Sequence, residues 1–162
     1  MNKLSSTLLQ ATIHNCLVAK KIAFVYVIHS KDFRCIYIGQ TRSVYGAIGR
    51  LAQHLSETHS NTFQQRICAL NKLESVSLGR VDFAAVPLRG KKEFLSDSSD
   101  YRESVEYLVQ WDLLRFVRKE GIQLQVISRV RSKYYITEEF IKQEANEVVQ
   151  KLTDWLKELP SS

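Results

Sequence analysis

The chain has 162 residues, 44% of them apolar and 25% charged, with only six Gly and two Pro. That length suits one compact domain, and that balance excludes disordered, collagen-like and low-complexity classes. No run approaches the roughly 18 apolar residues of a membrane span, and residues 1–21 lack the apolar core and small-residue cleavage site of a secretory signal.

Three cysteines, Cys16, Cys35 and Cys68, fit neither a disulfide framework nor zinc-ligand spacing. A reduced, cytoplasmic protein without structural zinc is the expectation. Lys and Arg number 23 against 17 Asp and Glu, a net charge of +6. Residues 1–70 hold eight basic and two acidic side chains, whereas residues 71–162 hold fifteen of each. The whole excess, with all four histidines, therefore lies in the first 70 residues. Such a surface attracts phosphate by Coulomb steering and counterion release, although charge alone leaves nucleic-acid contact and simple solubility equally open.

Taken in chain order, Leu9, Ile13 and Leu17 recur every four residues and predict an amphipathic helix over 4–19, within an N-terminal element of residues 1–22. Ala23–Ile28 and Cys35–Ile38 are β-branched and aromatic runs separated by a polar break, the pattern of an antiparallel hairpin. Val44, Ile48, Leu51 and Leu55 then define one helical face, and Asn61-x-x-Gln64 reads as a capping box for a helix carrying Phe63, Ile67 and Leu70 inward. Val81–Leu88 reads as a third strand, followed by the exposed basic loop Arg89-Gly90-Lys91-Lys92. Asp100-x-x-Glu103 would cap a long helix to about residue 118, Ile122–Val130 alternates like a strand, and a last helix runs from Thr137 to about Leu159.

The expected fold is an α/β sandwich of the α+β kind: a small, mostly antiparallel sheet of about three strands flanked by helices. Its core spans 23–120. Residues 121–162 form a strand and a helix whose seam, Ile141, Ala145, Val148, Leu152 and Trp155, either packs on that core or joins a homodimer.

The polar groups of the hairpin and the helix after it are unusual. Tyr26 and Tyr37 lie on adjacent strands and can face one side, and Gly39-Gln40-Thr41 ends the second strand where a backbone can approach a ligand. Arg50 and His54 are one helical turn apart, placed by periodicity beside the apolar seam rather than within it. Phenols and bases converging at a sheet edge suit a phosphodiester, with a fork for non-bridging oxygens and groups able to move protons. Singly, each has a structural reading: tyrosines pack in strands, an Arg–His pair forms a solvated face, and Glu106 can pair with Arg102 one turn earlier.

Together these residues resemble the GIY-YIG nucleases. Phe24-Val25-Tyr26 corresponds to the family's first tripeptide and Tyr37-Ile38-Gly39 to its second, with ten residues between the tyrosines. Gly39-Gln40-Thr41, Arg50-Leu51-x-x-His54, Asn61-Thr62-Phe63 and Arg66 continue the pattern over residues 24–70. The likeness becomes diffuse to about 118 and is absent at both ends. Phe24 stands where the family has Gly, and the Asn that many members carry downstream of their metal-binding Glu has no counterpart between Glu106 and Asn146.

The resemblance implies a metal-dependent DNA endonuclease using one Mg²⁺ (or Mn²⁺) held by a single glutamate, mostly through waters. Glu103 has a capping task, and periodicity does not choose between Glu106 and Asp112. Similarity to the family's Glu-x-Leu-like phrase selects Glu106. The implied roles are Tyr26 as general base or water-orienting group with Tyr37 assisting, Arg50 on the phosphate, and His54 as proton shuttle or phosphate ligand. A phenol has a pKa near 10, so Tyr26 needs Arg50 or the cation nearby to favour phenolate.

Expected DNA contacts are Gly39, Gln40, Thr41, Arg42, Arg66, Lys91 and Lys92, with Arg131 and Lys133. The last two belong to a stretch, Arg129 to Tyr135, that reads equally as a stacking strip or as a solvated strand face. The rival readings are a DNA-binding module that has lost the chemistry, and an interaction protein built on the last helix.

Overall fold

The computed structural model describes residues 12–56 and 61–159. Four strands form one sheet: β1 (Phe24–Ser30), β2 (Cys35–Thr41), β3 (Val81–Pro87) and β4 (Gln125–Val126), in the spatial order β3-β1-β2-β4. Helices α1 (Gly46–Leu55), α2 (Thr62–Asn71), α3 (Asp100–Lys119) and α4 (Glu139–Glu158) complete an α+β fold. The expected hairpin, third strand and last four helices are present. The sheet has one strand more than expected, and that strand pairs in parallel with β2.

β1 is buried along its whole length because it has a neighbour on either edge and a helical layer on either face. Alternation sorts its side chains. Val25 and Val27 join Ile36 and Ile38 of β2 against α3 and α4, while Tyr26 and Ile28 face Phe63 and Ile67 of α2. Tyr26 pairs with Gly39 and Ile28 with Tyr37, so the two tyrosines share the α1–α2 face. The α4 seam is buried in this chain's own core: Ile141, Ala145, Val148 and Leu152 pack with Val105, Val109 and Leu113 of α3.

Several sequence expectations fail locally, each for a physical reason. The predicted N-terminal helix lies partly outside the described residues. From Thr12 on, the chain forms only a 3-10 turn at Cys16–Ala19, with the Asn15 side chain accepting from the Leu17 N–H. Gly46 has φ +64° and a Cβ there would lie 2.2 Å from the Val18 carbonyl oxygen, so α1 begins at Gly46 and lays its small end on that turn. The face through Val44 and Leu55 is left exposed in consequence, and Gly46, Ala47 and His54 go inward.

Neither predicted capping box closes. Asn61 makes no side-chain cap, and Gln64 Nε2 donates instead to the carbonyls of His54 and Ser56. Leu70, expected inward, is exposed. Helix α3 starts after Ser99, whose hydroxyl bonds the Glu103 carboxylate rather than a backbone N–H. α4 starts two residues late because Tyr134–Thr137 is a separate 3-10 turn.

The predicted strand 122–130 is regular only at Gln125–Val126. Beyond it, the Ile127 N–H donates to the Ile36 carbonyl, and the Ser128 hydroxyl both accepts from the Ile38 N–H and donates to the Ile38 carbonyl. One side chain thus stands in for two ladder bonds while the main chain turns away. Past Ile38 the edge of β2 is left open.

Candidate active site

That open edge is where the chemistry gathers. Tyr26, Tyr37, Arg50 and Glu106 line one cavity of about 400 Å³, reached from both faces of the sheet around Gly39 and Gln40. Glycine is required at position 39, because a Cβ would sit 2.3 Å from the Tyr26 hydroxyl oxygen. The small residue opposite Tyr26 therefore gives the phenol its place.

His54 is fully buried, not beside the apolar seam as its spacing suggests. Its Nδ1 accepts from the Phe63 N–H at 3.3 Å, and its Nε2 lies 2.8 Å from the Tyr26 hydroxyl. An Nδ1 that accepts carries no proton, so in the neutral ring the proton is on Nε2 and is donated to Tyr26. The Tyr26 hydroxyl proton is then free to point elsewhere. The rings of Tyr37 and His54 meet edge-on at 4.9 Å. Burial, with the Arg50 charge nearby, lowers the His54 pKa to about 4, which keeps the imidazole neutral. His54 has no exposed surface, so it is out of reach of a ligand in the cavity and touches the cavity lining through Tyr26 and Tyr37.

Burial and the neighbouring Tyr37 push the Tyr26 phenol above its ordinary range, with Arg50 pulling the other way. Tyr37 is raised chiefly by burial, with Glu106 adding to it and Arg50 and Arg66 opposing. The lowering that phenolate chemistry needs is not supplied by this chain alone. An additional positive charge in the cavity would supply it.

Glu106 is 8% exposed and makes no hydrogen bond or ion pair among the described residues. Burial and the Glu103 carboxylate push its pKa up to about 8. Pairing with Arg102 does not occur: that guanidinium donates to Gln40 Oε1 and to the Phe94 and Ser96 carbonyls. Asp112, equally embedded by periodicity, instead pairs with Arg115 in a groove with Trp111, on a different part of α3. Among the described residues no group of three or more His, Cys, Asp or Glu side chains gathers to cage a metal. A lone, buried, unpartnered carboxylate in a wet cavity fits a divalent cation that keeps most of its waters.

Arg129, Arg131 and Lys133 form the rim of the same cavity. Lys133 is tied to Glu103 at 2.7 Å and Asp100 at 3.5 Å. The other predicted contacts are dispersed. Thr41 and Arg42 line an adjoining pocket, Arg66 is half-buried on α2 within electrostatic reach of Tyr37, and Lys91 lies over the Phe140 ring. Lys92 is exposed in the same loop as Lys91 and lines none of these cavities. Of the other histidines, His29 is buried at the end of β1 against Asp82 at 3.1 Å, and His59 lies outside the described residues. Arg129 was marked only as part of the basic and aromatic stretch to Tyr135, and Arg102 only as an ion-pair partner for Glu106. A single arginine in a helix carries no pattern that marks it as part of a site.

No family model, curated protein or solved structure matches this chain. Among the described residues no helix is long and apolar enough to cross a membrane.

Proposed function

We propose that this protein is a divalent-metal-dependent endonuclease that hydrolyses phosphodiester bonds of DNA, arranged as the resemblance to GIY-YIG nucleases implies. The observation that carries the reading is the convergence of Tyr26, Tyr37, Arg50 and an unpartnered Glu106 on one cavity with a basic rim. Packing alone gives no reason for a buried carboxylate without a partner beside two buried phenols, since such a group is costly in an apolar core.

In this account the rim and Arg50 draw in the backbone, and Arg50 forks onto non-bridging oxygens of the target phosphate. The Nε2–H of His54 fixes the Tyr26 oxygen, which orients a water for in-line attack and, once its own proton has passed to solvent through the cavity, takes the water's proton. The P–O bond to the water oxygen forms as the bond to the leaving oxygen breaks, and the leaving oxygen takes a proton from solvent. Glu106 would hold the Mg²⁺ or Mn²⁺, which would supply positive charge favouring the phenolate and the leaving oxygen. Tyr37 walls the cavity and shields the His54 ring. Replacing Glu106 with Ala is expected to abolish cleavage and leave DNA affinity within about threefold of wild type. Metal-dependent cutting by that variant would remove Glu106 from the account.

A further inference from the structure

Beside the cavity lies a second pocket of about 460 Å³, lined by Gln40, Thr41, Arg42, Ser43, Arg50 and Arg102. It shares Gln40 and Arg50 with the first, so the two are adjacent along the open end of β2. Three arginines face it against one carboxylate, Asp97, whose side chain is fully exposed and whose ion pair with Arg42 spans 3.4 Å. A solvated pair of that length holds Arg42 only weakly; its Nη1 is tied instead to the Leu95 carbonyl, with no hydrogen bond from Nε or Nη2 among the described residues.

Arg102 is the unusual member. It is 6% exposed, and its Nε and Nη1 are committed to Gln40 Oε1 and to the Phe94 and Ser96 carbonyls. Its Nη2 makes no hydrogen bond among the described residues, yet it is not sealed off, because no fully buried polar side-chain atom there lacks a partner. A guanidinium fixed on three acceptors thus presents its remaining fork edge to the pocket. Burial and the Arg42 charge both disfavour its charged form. An anion between the two arginines would relieve that repulsion and satisfy the open donors.

We infer that this pocket is a phosphate subsite: Arg102 and Arg42 hold the phosphodiester adjoining the one that Arg50 and Glu106 address. The inference rests on the proposed nuclease reading and extends it by fixing the strand path along β2. Arg50, shared by both pockets, sits between the two phosphates. The strand is thereby held in register on both sides of the attacked bond. Arg102 is buried and holds the loop at residues 94–96 through two carbonyls, whereas Arg42 is partly exposed and bonds there only the Leu95 carbonyl, so Arg42 is the better probe, with urea denaturation of each variant separating binding from folding.

The test is binding of a fluorescein-labelled single-stranded dodecamer in EDTA, followed by anisotropy over a range of salt, for wild type, Arg42→Gln, Arg42→Lys and Lys151→Gln. Arg42→Gln is expected to weaken binding about 5- to 10-fold at low salt and to reduce the slope of log affinity against log salt by about 0.7, one phosphate contact on a single strand. Arg42→Lys restores the slope, and Lys151→Gln, exposed on α4 away from both cavities, leaves it unchanged. An unchanged slope in Arg42→Gln, or an equal loss in Lys151→Gln, overturns the subsite in favour of a diffuse basic surface. Absence of any DNA affinity in wild type overturns the subsite and the nuclease reading together. An intact Arg42 effect in a protein that cuts DNA in neither Mg²⁺ nor Mn²⁺ overturns the nuclease reading alone, and metal-dependent cutting without an Arg42 effect overturns the subsite alone.

Discussion

The Tyr26 hydroxyl lies 2.8 Å from His54 Nε2 with Gly39 directly across the strand pair, and each neighbour constrains it differently. Gly39→Ala places a methyl 2.3 Å from the phenol oxygen, and a ring buried between β1, α1 and Phe83 has little room to yield. This variant is expected to unfold about 1–3 kcal/mol more easily and to cut at least about 100-fold more slowly, read by urea denaturation and single-turnover cleavage. His54 gives a signed pH dependence. Its folded pKa of about 4 lies below the unfolded value of about 6.5, so the unfolded chain takes up the proton first and stability falls as pH drops from about 6.5 towards 4. The loss assignable to this group is about 3 kcal/mol, and His54→Gln should flatten that acid limb while lowering stability at pH 7. Glu106 has the opposite sign. Raised in the fold, it weakens the protein as pH rises from about 4.5 to 8, so Glu106→Gln should melt higher than wild type at pH 8. Millimolar Mg²⁺ should then raise the wild type alone. Equal Mg²⁺ shifts in both proteins would contradict the metal assignment. At this scale the tyrosines and Gly39 were legible, because strand alternation and register fix a face once the hairpin is recognised. The burial of His54 was not: α1 rolls on Gly46 and Ala47, and side-chain size outweighed the apolar pattern of Ile48 and Leu51.

At the scale of elements, the decisive piece is the stretch from Gln125 to Lys133. It pairs with β2 for two residues, replaces the next ladder bonds with the Ser128 hydroxyl, and then lifts Arg129, Arg131 and Lys133 over the cavity. Ser128→Ala strands the Ile38 N–H and carbonyl in a buried edge. It is expected to destabilise the fold by about 1–3 kcal/mol and to speed amide exchange at Ile38 selectively, a change that hydrogen-exchange NMR reads directly. Unaltered protection at Ile38 would show that the hydroxyl is dispensable. The sequence carried this element only as an alternation from Ile122 to Val130. Alternation does not reveal that a parallel edge pairing ends after two residues, since the stop is made by a tertiary contact 90 residues away. The capping boxes failed for a related reason. Gln64 donates to the His54 and Ser56 carbonyls, and the Glu103 carboxylate is shared between the Ser99 hydroxyl and Lys133, so neither side chain closes on the backbone of its own helix end.

For the molecule as a whole, a small sheet flanked by helices was legible in the alternation of short strand and helix patterns, and the α4 seam in its spacing of three and four, whereas the order β3-β1-β2-β4 was not, because tertiary packing decides which edge a strand joins. The charge asymmetry also acquires a location. Arg42 and Arg50, from the basic first 70 residues, meet Arg102, Arg129, Arg131 and Lys133 around the open end of β2. DNA affinity is therefore expected to fall steeply with salt, by about tenfold or more between 50 and 200 mM if several phosphates are neutralised. The central claim is tested most directly by incubating the protein with labelled single-stranded, duplex and branched DNA in Mg²⁺, Mn²⁺ or EDTA. Cleavage of at least one substrate in Mg²⁺ or Mn²⁺, absent in EDTA, is the predicted result. Salt-sensitive binding of DNA with no cleavage in either metal would contradict it.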